Sequence, residues 1–176
     1  RSEERCQKTV KDIIAETGNS AVTSMTADLS SQADIRRLAK TFKDTYQRLD
    51  VLVNNAGAFF WSREQSEEGI EMTIALNHLN YFLLSLLLLE PLKASPEGRI
   101  INVSSGAHRG QRLDFNDLNR ENRYQSFRVY GQSKLANLYF TYELARKLEG
   151  TGITVNALHP GFVSTKFARD GNFFLN

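Results

Sequence analysis

Apolar positions recur at helical spacing, then in short unbroken runs, and then at helical spacing again along most of the chain. Behind Ser2, the residues Cys6, Val10, Ile13 and Ile14 share one helical face, with Glu3 and Glu4 in the first turn and Gly18 as the stop. Ala21 to Ala27 reads as a strand ending at Asp28. Ser30 or Ser31 caps a second helix whose inner face is Ile35, Leu38, Ala39 and Phe42. Val51-Leu52-Val53 is a continuously apolar run, as expected of a parallel strand covered on both faces. The pattern then predicts a helix from about Glu67 to Leu89, a strand over Arg99 to Val103 and a polar loop over Gln111 to Tyr124. A helix carrying Tyr130 runs towards Lys147, and Ile153 to Ala157 is the last strand. Strands alternating with helices, without repeats or linkers, predict an α/β fold with a doubly wound parallel sheet in a single domain over 1–176.

Composition narrows the classes. At 176 residues, 41% hydrophobic and 24% charged, the chain has the balance of a globular domain with its own core. A net charge of +2 is too small to argue for nucleic acid or an anionic membrane surface. Cys6 stands alone, so no internal disulfide forms and a reducing, cytoplasmic setting is expected. Tyr81 to Leu89 is the longest strongly apolar stretch and falls far short of the ~20 residues that cross a bilayer. Its leucines, Leu83, Leu84 and Leu86 to Leu89, suit a core or a subunit interface. Three histidines and one cysteine at no ligand spacing offer no metal site. Asn102-Val103-Ser104 fits a glycosylation acceptor in form, but it falls in a strand expected to be buried.

Tyr130-Gly131-Gln132-Ser133-Lys134 carries the clearest chemistry. Residues four apart on a helix stand one turn above each other on one face. A phenol is a poor acid–base catalyst at neutral pH, its reference pKa being ~10. An ammonium ~5 Å away attracts a phenolate by roughly 3 kcal/mol at an effective dielectric of ~20, so Lys134 is expected to ease proton exchange between Tyr130 and an alcohol or ketone. Taken singly, Tyr130 also fits an amphipathic surface residue and Lys134 a solvated charge.

Six segments occur in a telling order: Ala27-Asp28-Leu29, Asn54-Asn55-Ala56-Gly57, Asn77-His78-Leu79, Asn102-Val103-Ser104-Ser105, Tyr130-x-x-x-Lys134 and His159-Pro160-Gly161. With them the chain resembles the short-chain dehydrogenase/reductase family, in its retinol-dehydrogenase-like branch. The resemblance implies a Rossmann-like sheet and hydride transfer between NAD(P)(H) and a small apolar alcohol or carbonyl substrate. It implies Tyr130 as acid/base and Lys134 as the ammonium that lowers its pKa and binds the nicotinamide ribose. Ser105 is similar to the serine that bonds the substrate oxygen, with Ser104 as the runner-up. Asn77 resembles the asparagine whose water links Lys134 to solvent. Asn55, Ala56 and Gly57 look like the adenosine-side cofactor contact, and Asp28 with Leu29 like the adenine contact, although Asp28 equally suits a turn or helix cap. Pro160, Gly161, Val163 and Thr165 resemble the segment that holds the nicotinamide carboxamide. Arg1 resembles the arginine that selects a 2′-phosphate, which favours NADP over NAD. His78 and His159 are expected to be structural. Phe162, Phe167, Phe173 and Phe174 suggest an apolar substrate, and a homodimer through the leucine-rich helix is in keeping with the family.

The chain also departs from the family pattern. The opening strand, the Gly-rich TGxxxGIG turn, its helix and the second strand do not occur in these residues. In the family's strand order the two missing strands lie between Ala21–Ala27 and Val51–Val53, so two sheet edges are expected to face an empty slot. A truncated member, and as the alternative function a non-catalytic fragment without cofactor binding of its own, are therefore expected. Asn80 stands where members of the family usually have Gly, which is expected to bear on helix packing more than on chemistry.

Overall fold

The computed structural model describes residues 2–161. Helix α1 (Glu3–Thr17) starts where the Ser2 hydroxyl accepts from the Arg5 N–H at 3.3 Å, and stops at Gly18, whose φ of 70° suits glycine. None of its residues is buried. Helix α2 (Gln32–Thr45) is capped by Ser31 and buries Ile35 and Ala39, as its pattern predicts. Strand β1 (Val51–Asn54) leads through a loop to a short helix α3 (Met72–Ile74), a π turn over Ala75–Leu79, and helices α4 (Asn80–Leu87) and α5 (Leu89–Lys93). Strand β2 (Arg99–Val103), a 3₁₀ turn (Gly106–His108), helix α6 (Ser126–Lys147) and strand β3 (Thr154–Leu158) complete the order.

The sheet is parallel, in the order β1-β2-β3, with Leu52 beside Ile100 and Ile100 beside Val155. Those three side chains share one face and meet Ala39 of α2, Leu92 of α5, and Phe140 and Leu144 of α6 in the core. The other face differs from the expectation of a sheet covered on both sides. Val51 and Val53 are 46% and 54% exposed, and Leu158 of β3 is 43% exposed.

Two predicted elements are corrected. Residues 21–28 form no strand. A strand needs a neighbour to take its N–H and C=O groups, and no described strand pairs with β1 on its outer edge. Most of residues 21–28 are half-buried, where water can serve the backbone instead. The helix predicted from Glu67 begins only at Met72, because residues 66–70 close a turn through Gly69, whose φ is 75°. Glu71 then caps it, its carboxylate accepting from the Thr73 and Ile74 N–H groups at 2.8 and 2.9 Å. The helical run also continues past Leu89 to Lys93, with a break at Leu88 three residues before Pro91, which has no N–H to give the ladder.

Candidate active site

The end of β2 and the first turns of α6 meet because the residue after Tyr130 is glycine. A Cβ on Gly131 would lie 2.4 Å from the Ala107 carbonyl oxygen, a distance no side chain tolerates, so only glycine lets the 3₁₀ turn rest on α6. The Ser104 hydroxyl secures the same junction by donating to the Lys134 carbonyl at 2.9 Å. Ser104 is thereby buried as a structural hydroxyl, whereas Ser105 at the next position is half-buried and hydrogen-bonds the Tyr130 side chain. The two serines thus have different surroundings, Ser104 held in the junction and Ser105 beside the Tyr130 side chain.

Lys134 is 3% exposed. Its Nζ donates to the Val103 carbonyl at 3.1 Å and lies 5.8 Å from the centroid of the Tyr130 ring and 5.6 Å from that of Tyr81. Gly57 presses against this group: a Cβ there would sit 3.0 Å from Asn77 Oδ1 and 3.5 Å from Lys134 Nζ. The four expected catalytic residues therefore share one neighbourhood at the carboxyl ends of the strands, where open α/β sheets bind ligands.

The electrostatics correct the expectation drawn from spacing. Burial pushes the Tyr130 phenol up, and the hydrogen bond with Ser105 pulls it back. Burial alone draws the Lys134 ammonium down from 10.5 to about 8. Desolvation, which residue spacing does not set, disfavours the charged form of each group.

Asn77 sits in the π turn and is fully buried. Its side chain clamps the backbone of Ala58, accepting from the N–H at 2.8 Å and donating to the carbonyl at 2.9 Å, and also donates to Ser133 at 3.2 Å. Its backbone carbonyl accepts from Asn137 Nδ2 at 2.9 Å, and Asn137 Oδ1 pairs with His78 Nδ1 at 2.9 Å. His78 is thus structural, as expected, and burial lowers its pKa. Asn80 turns back onto the Leu76 carbonyl within the helix.

Sequence reasoning passed over what braces this floor. Asn54 Nδ2 donates to Ser85 at 2.9 Å and to Asn102 Oδ1 at 2.8 Å, and Asn102 Nδ2 donates to Thr141 at 3.0 Å. The signal was there: Asn102 is a poor strand former at the centre of an apolar strand. Fully buried and bonded at both ends, it is no glycosylation acceptor in the fold. Also missed was an aromatic wall. Phe59 stacks 5.7 Å from Tyr130, 5.1 Å from Trp61 and 5.0 Å from Phe127 (centroid distances), and the last two are 42% and 57% exposed.

The expected cofactor contacts are placed unevenly. Asn55 is exposed, and Ala56 and Gly57 are half-buried along the strand-end turn. Asp28 serves a turn, its Oδ1 accepting from the Ser30 N–H at 2.9 Å and hydroxyl at 2.6 Å; Leu29 follows it, half-buried. Pro160 and Gly161 are exposed beyond β3, with the Gly161 N–H on His159 Nδ1 at 3.3 Å. Arg1, Val163 and Thr165, with Phe162, Phe167, Phe173 and Phe174, lie outside the described residues.

Residues 1–172 match the family described as short chain dehydrogenase. The chain is 46% identical over 170 residues to human retinol dehydrogenase 13, covering 96% of this chain and 51% of that protein. It is 43% identical over 173 residues to human retinol dehydrogenase 11, covering 98% and 54% respectively. The chain thus spans about half the length of these curated relatives. Among solved structures, the RhlG/NADP active-site complex of Pseudomonas aeruginosa superposes with a TM-score of 0.76 at 30% identity, covering 96% of this chain and 63% of that one. An uncharacterized protein from Mycobacterium paratuberculosis gives 0.75 at 38% identity, over 91% and 58%.

Proposed function

Given that the chain belongs to the short-chain dehydrogenase/reductase family, we propose that its site serves hydride transfer between a nicotinamide cofactor and an apolar alcohol or carbonyl compound. The observation that carries this reading is the convergence of Tyr130, hydrogen-bonded to Ser105, with the buried ammonium of Lys134. NADP is proposed before NAD; the RhlG neighbour is an NADP complex, and Arg1 supports the same choice. An apolar substrate is supported by the wall of Phe59, Trp61 and Phe127 beside Tyr130, and by relatives named retinol dehydrogenases.

The donor set suits the nicotinamide end of such a cofactor. An ammonium has three N–H groups, and Lys134 gives one to Val103, which leaves donors for ribose hydroxyls beside Gly57. When bound, the nicotinamide supplies or takes the hydride. The chain's own groups handle the proton. In the direction of reduction, Ser105 donates a hydrogen bond to the carbonyl oxygen, and the Tyr130 O–H bond breaks as its proton passes to that oxygen. The Lys134 ammonium steadies the phenolate left behind and returns a proton to it. Asn77 holds Ala58 beside Gly57 and Lys134, and in this reading it positions the water that refills Lys134 from solvent.

The second reading concerns these 176 residues taken alone, a chain that keeps this group without binding cofactor by itself. No Gly-rich turn at a helix N-terminus, the usual cradle for a pyrophosphate, occurs in the sequence. The test is NADPH and NADH binding by cofactor fluorescence, on this chain and on the same chain preceded by a relative's strand–TGxxxGIG–helix unit. Binding and turnover by the extended chain, with turnover lost at least ~100-fold in Tyr130→Phe while NADPH binding stays, is the expected result. Near-normal turnover by Tyr130→Phe rules out Tyr130 as the acid/base. Micromolar binding by the 176-residue chain itself removes the second reading.

A further inference from the structure

Tyr81 of α4 is fully buried beneath the site, and its hydroxyl has no hydrogen-bond partner among the described residues. A buried phenol normally finds one, because an orphaned O–H loses its water without replacement. Phenylalanine would fill the same space without that loss, so the hydroxyl offers no reason for the residue. The ring does. Lys134 Nζ stands over its face, 5.6 Å from the centroid, within the distance at which an aromatic quadrupole attracts a cation.

We propose that Tyr81 is a positioning residue for Lys134, its ring face holding the ammonium beside Tyr130. The groups that face Lys134 leave this task to the ring. From α6 comes Tyr130, from β2 the Val103 carbonyl, and from the loop after β1 Gly57, with Asn77 of the π turn behind it. Tyr81 and Tyr130 are the titratable groups among them, and no carboxylate among the described residues acts on the ammonium. A buried cation with one carbonyl and no counter-ion is costly. The two ring faces, each within 6 Å, supply the negative potential that an acidic residue would otherwise give. Tyr130 changes its own protonation during the proposed reaction, so Tyr81 is the constant member of the pair.

The significance for catalysis rests on the proposed hydride-transfer reading; the titration of Lys134 does not, so an inactive chain still decides the matter. The experiment follows the Lys134 Cε resonance against pH in ¹³C-lysine-labelled protein, assigned by its absence in Lys134→Gln. Two variants are compared: Tyr81→Phe, which keeps the ring face, and Tyr81→pentafluorophenylalanine, which keeps the shape and reverses the face potential. Both preserve the packing at residue 81. Tyr81→Phe is expected to titrate as the unsubstituted chain does. The fluorinated ring is expected to lower the midpoint by about one pH unit relative to Tyr81→Phe. Equal midpoints in the two variants overturn the proposal. A fall as large in Tyr81→Phe also overturns it, since the hydroxyl would then be the group that matters.

Discussion

At the scale of single residues, the site is governed by what burial does to charge. Lys134 titrates near 8 in the fold and at 10.5 in its ordinary state, because burial disfavours the ammonium. Below pH 8 both folded and unfolded chains hold the proton, and the fold bears the whole cost of burying it. Between about 8 and 10.5 the unfolded chain binds more protons than the folded one, so stability rises with pH across that window. The full difference corresponds to about 3 kcal/mol. Lys134→Met, which removes the charge and nearly keeps the volume, is expected to stabilise the chain at pH 7 and to abolish the rise from pH 8 to 10. Urea melts at pH 7, 8, 9 and 10 measure both effects, and a parallel rise in the two proteins contradicts the assignment.

At the scale of elements, the contact between α6 and the 3₁₀ turn decides whether Ser105 reaches Tyr130. That contact hangs on Gly131, where a Cβ meets a backbone carbonyl, and backbone cannot swing aside as a side chain does. Gly131→Ala is expected to cost about 1–3 kcal/mol through overpacking. This happens in spite of alanine's better helix propensity, which alone would stabilise by up to ~1 kcal/mol. Thermal melts give the sign directly: a higher Tm in Gly131→Ala means that the turn yields without strain. Below this contact, the Ser85–Asn54–Asn102–Thr141 chain of hydrogen bonds joins β1 and β2 to α4 and α6. Such a network sets the strand ends at a fixed height under the site, since each buried amide loses its partner if an element slips.

At the scale of the whole molecule, the described residues leave two apolar surfaces without cover. On the sheet, Val51 and Val53 are about half exposed on an edge strand with no outer neighbour; on α4, Phe82 and Leu86 are 42% and 39% exposed. Exposed sheet edges template further pairing, and apolar patches drive association. The chain is therefore expected to self-associate as its concentration rises. Light scattering on Val53→Lys and Phe82→Lys separates the routes. A fall in mass with Val53→Lys assigns association to the open sheet, whereas a dimer that only Phe82→Lys dissociates assigns it to the helix pairing proposed for a homodimer. Unchanged mass in both removes both surfaces from consideration. No helix among the described residues is long and apolar enough to cross a membrane.

The sequence by itself determined whatever depends on neighbours along the chain. Ser2, Ser31 and Gly18 cap their helices because a hydroxyl or a left-handed φ acts within one turn. The Tyr130–Lys134 spacing placed both groups on one helix, and the order of short motifs led to the family. Only the tertiary structure decided the rest. Ala21–Ala27 has strand character but makes no strand, because pairing needs a partner that the local pattern cannot supply. Glu67 lost its place in a helix to a turn through Gly69 and a cap at Glu71. Tyr130 is pushed up and Lys134 drawn down because α4, β2 and the loop after β1 close over them and exclude water. Spacing sets how near two charges lie; the elements packed around them set how much water they lose, and for buried groups that second quantity prevails.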